Sequence, residues 1–271
     1  MLTAPLLSPE QVHSFNEEGY LIYRQPVFQE DKFQRLRTVF ERILKEQTQA
    51  GMRPEALDKP HYIYPELFEW ILSDEIMDLV EPILGRDMLF FASHFICKPK
   101  GDGKRVPWHE DSAYWNNLIS PMEAVTVWLA VDPSMKENGC MYVIPRSHET
   151  GKKGFSDYEG VDVTKSVFPT EIVKPQQRDE LAVPIELQAN QCSLHDSKMI
   201  HGSPPNTSDK RRCGFTMRFV RGSVKLNPEW ENQLRFYPAR GRNLADNLLA
   251  DPCKAYPELW DTQAKSTRKV H

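Results

Sequence analysis

The stretch Met88-Leu-Phe-Phe-Ala-Ser-His-Phe-Ile-Cys97 is where the character of the sequence changes. It is rich in aromatic and other apolar residues and contains neither Gly nor Pro, which predicts a buried β-strand. Similar short stretches follow, bounded by Pro, Gly, Asn or Asp, at residues 124–131, 141–144, 182–187, 191–194 and 213–220. Many short strands without helices between them predict a mainly β fold, either a sandwich or a jelly roll.

The sequence before residue 86 has a different period. In residues 30–45 the apolar side chains recur every three or four positions, at Phe33, Leu36, Phe40, Ile43 and Leu44. This spacing places them on one stripe of an amphipathic helix. A second helix is predicted over residues 67–84, ending at Gly85. Residues 1–85 are therefore expected to be mainly helical and to flank the strands.

The 271 residues fit a single domain, residues 1–271, with three parts. The helical part, residues 1–85, precedes a jelly-roll core over residues 86–222. Within that core, residues 150–180 are polar without a clear period and are predicted to form a long loop or lid. Residues 223–271 contain scattered aromatic residues and prolines, and we expect them to wrap around the domain. The excess of 21 prolines over 13 glycines also disfavours a helical bundle.

Charge and composition exclude several classes of function. Lys and Arg total 34 while Asp and Glu total 38, so the formal net charge of −4 lacks the basic excess of nucleic-acid-binding proteins. No apolar run approaches the roughly 18 residues that cross a bilayer. The N-terminus does not resemble a secretory signal, and we expect a cytoplasmic protein without a membrane partner. The five cysteines include no Cys-x-x-Cys pair, which argues against a zinc ribbon.

A histidine and an aspartate two residues apart carry the first chemical signal. They lie in Val106-Pro-Trp-His-Glu-Asp-Ser-Ala-Tyr-Trp115, where His109 and Asp111 would point to one face of an extended segment. His201, at the end of a predicted strand, is the best candidate for a third ligand, because a jelly roll brings distant strands together. Such a site suits Fe(II), manganese or zinc, and two imidazoles with one carboxylate form the facial triad of non-haem iron oxygenases.

Arg212 follows His201 by eleven residues, and Pro204-Pro205-Asn206 between them predict a turn. The next strand would then return beside the metal site and bring Arg212 with it. A guanidinium group binds a carboxylate through two parallel hydrogen bonds. We therefore expect Arg212 to hold the far carboxylate of an oxo acid bound to the metal. Ser203 would donate a second bond to the same carboxylate.

Several motifs agree in order and spacing with one known family. They are Phe15, Gly19 and Tyr20-Leu-Ile22; Phe95-Ile-Cys-Lys-Pro-Lys-Gly101 with Val106-Pro-Trp-His-Glu-Asp111; Thr126-Val-Trp-Leu-Ala-Val-Asp132 with Glu137-Asn-Gly-Cys-Met-Tyr-Val-Ile-Pro-Arg-Ser-His148; and His201-Gly-Ser203 through Asn206 to Arg212. From residue 7 to about residue 220, the chain resembles the phytanoyl-CoA dioxygenase (PhyH) family of Fe(II)- and 2-oxoglutarate-dependent oxygenases. It departs from the family at Arg146, where relatives usually have Gly.

The resemblance implies a double-stranded β-helix (jelly roll, cupin-like) with flanking helices. It also implies that His109, Asp111 and His201 bind Fe(II), and that 2-oxoglutarate and O2 are co-substrates. Trp128 and His94 match positions that line the co-substrate pocket in relatives. The implied reaction hydroxylates an unactivated C–H bond of a small molecule and releases succinate and CO2. Related halogenases have a small residue in place of the carboxylate, so Asp111 favours hydroxylation, while desaturation and ring chemistry stay open.

Substrate contacts are expected from polar and aromatic residues near these motifs: Trp115, Tyr114, Tyr62, Lys59, His61 and Tyr142. Of these, Trp115 also matches an aromatic position near the co-substrate pocket of relatives. A basic group would accept an anionic substrate, although a solvated hairpin loop is the favoured interpretation of these residues: Lys98, Lys100, Lys104 and Arg105. The identity of the substrate and the oligomeric state stay open.

Two alternative functions also remain open at this point. The same three ligands on a cupin-like barrel would serve a zinc or iron enzyme that uses no oxo acid, although Arg212 would then have no role. The other alternative is a non-catalytic binding protein that kept the fold and lost turnover. The complete ligand set together with Arg212 argues against it.

Overall fold

The computed structural model of the chain describes residues 7–149 and 156–260. Its α-helices are α1 (Pro9–Glu18), α2 (Glu30–Gln49), α3 (Phe68–Ile71), α4 (Asp74–Leu84), α5 (Asp111–Trp115) and α6 (Lys174–Gln177). Single 3₁₀ turns lie at Pro54–Ala56, Pro60–Tyr62, Pro65–Leu67, Lys136–Asn138, Ser147–Glu149, Asp179–Leu181 and Pro228–Trp230. Within the described ranges, no helix has the length and apolar character that crossing a membrane requires.

The strands before residue 150 are β1 (Tyr20–Tyr23), β2 (Leu57–Asp58), β3 (Met88–Lys98), β4 (Val106–His109), β5 (Ile119–Ser120), β6 (Ala124–Ala130) and β7 (Met141–Val143). Those after it are β8 (Tyr158–Gly160), β9 (Thr170–Ile172), β10 (Val183–Ile185), β11 (Cys192–Asp196), β12 (His201–Ser203), β13 (Arg212–Arg221), β14 (Lys225–Leu226) and β15 (Tyr237–Arg240). All six stretches predicted as strands form strands, with ends shifted by one or two residues.

Two antiparallel sheets build the jelly roll. The larger has seven strands in the order β1-β11-β6-β13-β3-β15, with β2 paired to β3 as well. The smaller has the order β10-β7-β12-β4, and two further pairs, β14 with β5 and β8 with β9, lie outside these sheets. Helices α1 to α4 precede most of the strands in the sequence. This arrangement confirms the predicted mainly β jelly roll with flanking helices.

Strand β13 divides the domain into a core and a cavity, because successive side chains of a strand point to opposite faces. The odd-numbered residues are fully buried in the main apolar core: Phe215, Met217 and Phe219. The even-numbered residues line a cavity on the other face: Arg212, Thr216 and Arg218. The alternation of apolar and polar residues along this strand therefore positions the polar site against a rigid core.

Helix α2 packs its predicted apolar stripe into the main core. Phe33, Leu36, Phe40 and Ile43 are buried there, and burial of each such side chain contributes about 1.5–3 kcal/mol. The rings of Phe40 and Phe95 lie 5.0 Å apart, and Phe95 stacks on Phe215 at 4.1 Å. The helix is therefore joined directly to the centre of the larger sheet through aromatic contacts.

The helix predicted over residues 67–84 is interrupted. It forms as α3 and α4, with Ser73 between them in an extended conformation. The Ser73 hydroxyl donates to the carbonyl of Trp70 at 2.8 Å, and Asp74 and Glu75 begin the next helix. Carboxylates are stabilised at a helix N-terminus, so this local sequence ends one helix and starts another. The apolar period alone does not show the break.

The long loop predicted for residues 150–180 is also different in the structure. Residues 150–155 lie outside the described residues, and residues 156–180 contain the β8–β9 hairpin and α6. Arg105 donates to both carboxylate oxygens of Glu171, at 2.6 and 2.9 Å, and the backbone N–H of Trp108 donates to the same group at 3.2 Å. These bonds attach β9 to β4, the strand that carries His109.

The chain after residue 222 adds β15 to the edge of the larger sheet, where it pairs with β3. Arg240 on β15 forms ion pairs with three carboxylates of α4, those of Asp74, Asp78 and Glu81, at 2.8, 2.6 and 2.6 Å. Residues 261–271 of the predicted C-terminal wrap lie outside the described residues. The described part therefore links the sheet edge to α4.

Gly214 provides a test of the packing at the cavity face. A Cβ atom there would lie 2.0 Å from Cζ2 of Trp128. We predict that Gly214→Ala lowers the free energy of unfolding by about 1–3 kcal/mol, because the indole ring or the backbone must move. Urea denaturation measures the change. Gly160→Ala, which has no heavy atom within 4 Å of the new methyl group, should change stability by less than about 0.5 kcal/mol. Equal stabilities of the two variants would contradict this packing.

Candidate functional site

A cavity lies between the two sheets. The larger sheet contributes seven residues to its wall: Ile96, Thr126, Trp128, His195, Arg212, Thr216 and Arg218. The smaller sheet and adjoining segments contribute the rest: Val106, His109, Asp111, Met141, Phe168, His201, Gly202 and Ser203. One space therefore contains all three predicted metal ligands together with Arg212, Ser203 and Trp128.

The three predicted metal ligands form a compact group. One ligand atom each of His109, Asp111 and His201 lies within 4.8 Å of the others, and all three residues are buried. His109 ends β4 and His201 begins β12, and the two are direct partners in the antiparallel pairing, with ring centroids 4.0 Å apart. Asp111 begins α5, and its Oδ1 lies 3.8 Å from Nε2 of His109. Strand pairing and the start of a helix together create the group.

Hydrogen bonds determine which nitrogen of each imidazole is available to a metal. Nδ1 of His109 donates to the carbonyl of Pro107 at 2.8 Å, and Nδ1 of His201 donates to the carbonyl of Met199 at 2.9 Å. Because a carbonyl only accepts, each Nδ1 carries the proton and each Nε2 keeps its lone pair. Burial lowers the pKa of both imidazoles below the ordinary value. Both rings are therefore neutral near pH 7, as metal binding requires.

Asp111 is held in its anionic form. Burial would raise the pKa of its carboxyl, but the positive charge of Arg218 keeps that pKa well below its usual range. The hydroxyl of Thr126 donates to Oδ2 of Asp111 at 3.2 Å, and Nε of Arg218 lies 3.5 Å from the same oxygen. Two neutral imidazoles and one carboxylate match the donor set that non-haem Fe(II) prefers. The residues present therefore fit an iron ion.

Arg212 is fully buried beside this group. Its Nε and Nη2 donate to the carbonyl of Gly139 at 3.0 and 2.6 Å, and Nη2 also donates to Oγ of Ser203 at 3.2 Å. The guanidinium lies 5.3 Å from the ring centroid of Trp128. Burial lowers the pKa of Arg212 to about 10, so it remains charged at neutral pH. No carboxylate of the described residues pairs with it, and an anionic ligand would supply the missing charge.

Lys98 does not belong to a solvated hairpin loop, in contrast to the favoured interpretation of the sequence. Its side chain is fully buried, and its Nζ donates to the carbonyls of Ser203, at 3.3 Å, and Pro204. Burial lowers the pKa of Lys98 well below its ordinary value, and the charge of Arg212 adds to the effect. Lys98 therefore fixes the turn after β12, whereas Lys100 is exposed as expected for a hairpin loop.

His94 and Lys59 are not among the residues that line the cavity. His94 is buried on β3, with Nε2 2.8 Å from the carbonyl of Glu55 and Nδ1 3.7 Å from Oδ1 of Asp58. Its cross-strand partner Thr216 does line the cavity. Lys59 donates to Oδ2 of Asp58 at 2.7 Å. Contact of His94 with the co-substrate, or of Lys59 with the substrate, therefore stays a prediction.

The structure does not bring His61 and Tyr62 to the cavity. Both are fully buried. Nδ1 of His61 bonds to Oγ of Ser93 at 2.7 Å, and its ring packs at 5.0 Å from Phe90 and 5.5 Å from Tyr237. The prediction that these two residues face a substrate is therefore corrected. The polar-aromatic run that contains them buries its rings in the core because their large apolar area favours it.

The other predicted substrate residues have different positions. Tyr142 points away from the cavity, because its neighbours on both sides along β7 face inward. Trp115 is buried in a core cluster, and the guanidinium of Arg218 lies 5.5 Å from its ring centroid. Tyr114 is 41% exposed, and its ring centroid lies 5.9 Å from that of His109. Of the three, Tyr114 alone stands beside the metal group at the surface.

The sequence reasoning missed His195 and Arg218, which both line the cavity. The strand predicted over residues 191–194 stops one residue before His195, whereas β11 continues to Asp196. Period-two alternation would have revealed both residues. Leu194 faces the core, so its neighbour His195 faces the cavity, and Arg218 shares the cavity face of β13 with Thr216.

Comparisons with known proteins show which family and which solved structures the chain resembles. Residues 15–214 match the family model described as phytanoyl-CoA dioxygenase (PhyH). The chain is 27% identical to the peroxisomal phytanoyl-CoA dioxygenase of Mus musculus over 241 residues, 79% of this chain and 68% of that protein. Two solved structures share its fold. The non-heme monooxygenase ThoJ, in its apo form, aligns with a TM-score of 0.74 and 22% identity over 96% of both chains. CytC3 with Fe(II) and alpha-ketoglutarate aligns with a TM-score of 0.64 and 23% identity over 90% of this chain and 94% of that chain.

His61 provides a test of the core assignment through pH. Burial lowers its pKa to about 3, whereas an unfolded histidine titrates near pH 6.5. Between these values only the unfolded chain binds the proton, so the contribution of His61 to stability is complete above pH 6.5 and decreases as the pH falls. The decrease reaches about 1.4 kcal/mol per pH unit.

We predict that His61→Phe reduces the slope of unfolding free energy against pH by about this amount between pH 6 and pH 5. Urea denaturation at several pH values measures the slope. His13→Phe, at an exposed position on α1, is the control for the effect of replacing a histidine by a phenylalanine. An unaltered slope in His61→Phe would show that this imidazole does not stay neutral in the folded chain.

Proposed function

The chain belongs to the phytanoyl-CoA dioxygenase (PhyH) family of non-haem iron, 2-oxoglutarate-dependent oxygenases, and we propose that it hydroxylates an unactivated C–H bond of a small molecule. One observation carries the proposal. A single cavity contains His109, Asp111 and His201 within 4.8 Å of one another, and the buried cation Arg212 on its wall. A metal group alone serves many enzymes, whereas a buried cation without a protein carboxylate is expected where an anionic co-substrate binds.

His109, Asp111 and His201 would hold the iron. When bound, Fe(II) and 2-oxoglutarate supply the oxidation of a C–H bond by O2, with release of succinate and CO2. The protein contributes the orientation of the ligands. The carbonyls of Pro107 and Met199 hold both imidazoles in the tautomer that presents Nε2, and the two sheets enclose the group. Fixed ligands in a buried space need little reorganisation when the metal binds.

Arg212 and Ser203 would bind the far carboxylate of 2-oxoglutarate. Nη1 of Arg212 has no hydrogen bond to a described residue, because Nε and Nη2 make the bonds to Gly139 and Ser203. The ring of Trp128 packs against the guanidinium and restricts its movement. Nζ of Lys98 donates a hydrogen bond to the backbone carbonyl of Ser203 and so holds this residue in place. These contacts leave one side of the guanidinium fork directed away from its protein partners, as recognition of a carboxylate requires.

The substrate would contact the side of the cavity formed by α5 and the β8–β9 hairpin. Phe168, between β8 and β9, lines the cavity and packs against Tyr114 with ring centroids 5.5 Å apart. Tyr114 is exposed, so this side connects the metal group to solvent. Both residues lie outside the two sheets. We therefore propose Tyr114 and Phe168 as substrate contacts.

The two alternative functions make different use of the same cavity. A zinc or iron enzyme without an oxo acid leaves the charge of Arg212 without a partner, which is costly for a buried cation. A binding protein without turnover retains the affinity for 2-oxoglutarate but produces no succinate. Measurements of binding and of turnover therefore separate all three functions.

We predict that the protein with Fe(II), ascorbate, 2-oxoglutarate and O2 forms succinate, including the slow uncoupled reaction without a substrate. Asp111→Ala should reduce the rate to background because it removes a metal ligand. Arg212→Gln should raise the KM for 2-oxoglutarate at least tenfold, since a charged hydrogen bond contributes about 1.5–3 kcal/mol. Succinate release, measured by chromatography, is the assay.

Arg211→Gln is the matched control for Arg212→Gln. Arg211 is the preceding residue, but its guanidinium pairs with Asp132 and Glu41, so this change should not alter the KM. Isothermal titration of the Fe(II)-loaded protein under anaerobic conditions measures 2-oxoglutarate binding directly. Absence of binding would reject the proposed oxygenase, and binding without any succinate would favour the non-catalytic alternative.

A further inference from the structure

The two carboxylate oxygens of Asp111 have different surroundings. Oδ1 lies 3.8 Å from Nε2 of His109, on the side of the metal group. Oδ2 faces three polar side chains: Oγ1 of Thr126 at 3.2 Å, Nε of Arg218 at 3.5 Å and Nε2 of His195 at 3.9 Å. These side chains come from β6, β13 and β11, neighbouring strands of the larger sheet. One oxygen therefore faces the metal position, and the other faces the sheet.

His195 is the least satisfied member of this group. Only 1% of the residue is exposed, and neither ring nitrogen has a hydrogen-bond partner among the described residues. A buried polar group without a partner costs about 1–3 kcal/mol. The distance of 3.9 Å from Nε2 to Oδ2 of Asp111 is too long for a hydrogen bond, but a small movement of either side chain would close it.

Arg218 and Thr126 approach the same oxygen from fixed positions. The guanidinium of Arg218 lies 5.5 Å from the ring centroid of Trp115, a cation–π contact that favours this position. Thr126 is fully buried in the middle of β6 and is paired with His195 across to β11. Residues directly opposite one another in antiparallel strands project on the same face. The register of the sheet therefore directs the side chains of Thr126 and His195 towards Asp111.

We propose that Thr126, His195 and Arg218 are positioning residues that hold Oδ2 of Asp111, so that Asp111 binds the metal through Oδ1 alone. This inference rests on the metal site of the proposed function. A carboxylate that binds through both oxygens occupies two positions around a metal, whereas one held at its second oxygen occupies a single position. With Oδ2 held by the clamp of Thr126, His195 and Arg218, Asp111 would offer a metal one donor atom and would leave room for the co-substrates. His195 lies outside the group of three residues whose ligand atoms are all within 4.8 Å of one another, so the clamp includes it as a partner of Asp111 and not as a fourth ligand.

The test measures binding of Co(II), used alone as the probe metal, to the full chain. Thr126→Val keeps the shape of the side chain and removes its donor, and His195→Phe removes the imidazole donor. We expect each change to raise the Kd for Co(II) at least tenfold, as is typical when a partner of a metal ligand is lost. We also expect each to alter the d–d absorption spectrum of bound Co(II). His195→Gln, which retains an N–H donor, should recover most of the affinity and the original spectrum.

Ser193→Ala is the matched control. Ser193 lies on the same strand, two residues before His195, and its hydroxyl has no partner among the described residues. This variant should bind Co(II) like the unaltered protein. A role of Thr126 and His195 in folding alone would lower the melting temperature of their variants without changing the spectrum of bound Co(II), and that result would overturn the clamp.

Asp111→Ala distinguishes the failure of the clamp from the failure of the metal site. If Asp111→Ala abolishes Co(II) binding while Thr126→Val and His195→Phe bind with unchanged Kd and spectrum, the metal site stands and the clamp is rejected. If Asp111→Ala binds Co(II) with unchanged affinity, both are rejected. Thr126→Val is nearly isosteric, so the test remains available even if His195→Phe does not fold.

Discussion

The direct pairing of His109 on β4 with His201 on β12 is the constraint on which the rest of the site depends. Opposite residues in an antiparallel pair project from the same face with Cβ atoms about 4.5–5.5 Å apart, which is close enough for both imidazoles to reach one ion. A slip of one residue would turn one ring to the other face of the sheet. Asp111 and the hydrogen bonds made by Nδ1 of His109 and of His201 can contribute to a metal site only when the two strands pair in this register.

Charge balance explains the composition of the cavity beyond its ligands. Arg212, Arg218 and Lys98 place three basic side chains in or beside a space whose one acidic lining residue is Asp111. Buried cations are unfavourable unless an anion or aligned carbonyl groups compensate them. Carbonyl groups accept hydrogen bonds from Lys98, and Asp111 forms an ion pair with Arg218. Arg212 is left with one carbonyl and one hydroxyl, so the anionic co-substrate proposed above would supply the negative charge that the protein does not.

The sequence predicts those features of the structure that depend on a short motif or on a regular spacing of apolar residues. The His-x-Asp pair, His201 and Arg212 lie in short motifs on strands or directly after one, and the structure brings all four residues into one cavity. His195 was missed because the predicted strand ended at Leu194, two residues before the end of β11. His61 was assigned to the substrate because a run of 3₁₀ turns has no period that separates core from pocket. Its burial depends on packing against Phe90 and Tyr237, which are distant in sequence.

The same distinction explains why the reaction is easier to infer than the substrate. The groups proposed to bind metal and co-substrate lie on paired strands or directly beside them, where register fixes each side chain. Phe168 lies on the β8–β9 hairpin, and Tyr114 lies on the short helix α5. The Arg105–Glu171 ion pair attaches that hairpin to β4 and does not involve the residues at the hairpin tip. Residues at the tip can therefore change without moving His109. Sequence motifs therefore identify the residues whose positions the strand register fixes, whereas substrate selection depends on loop residues that the sheets do not constrain.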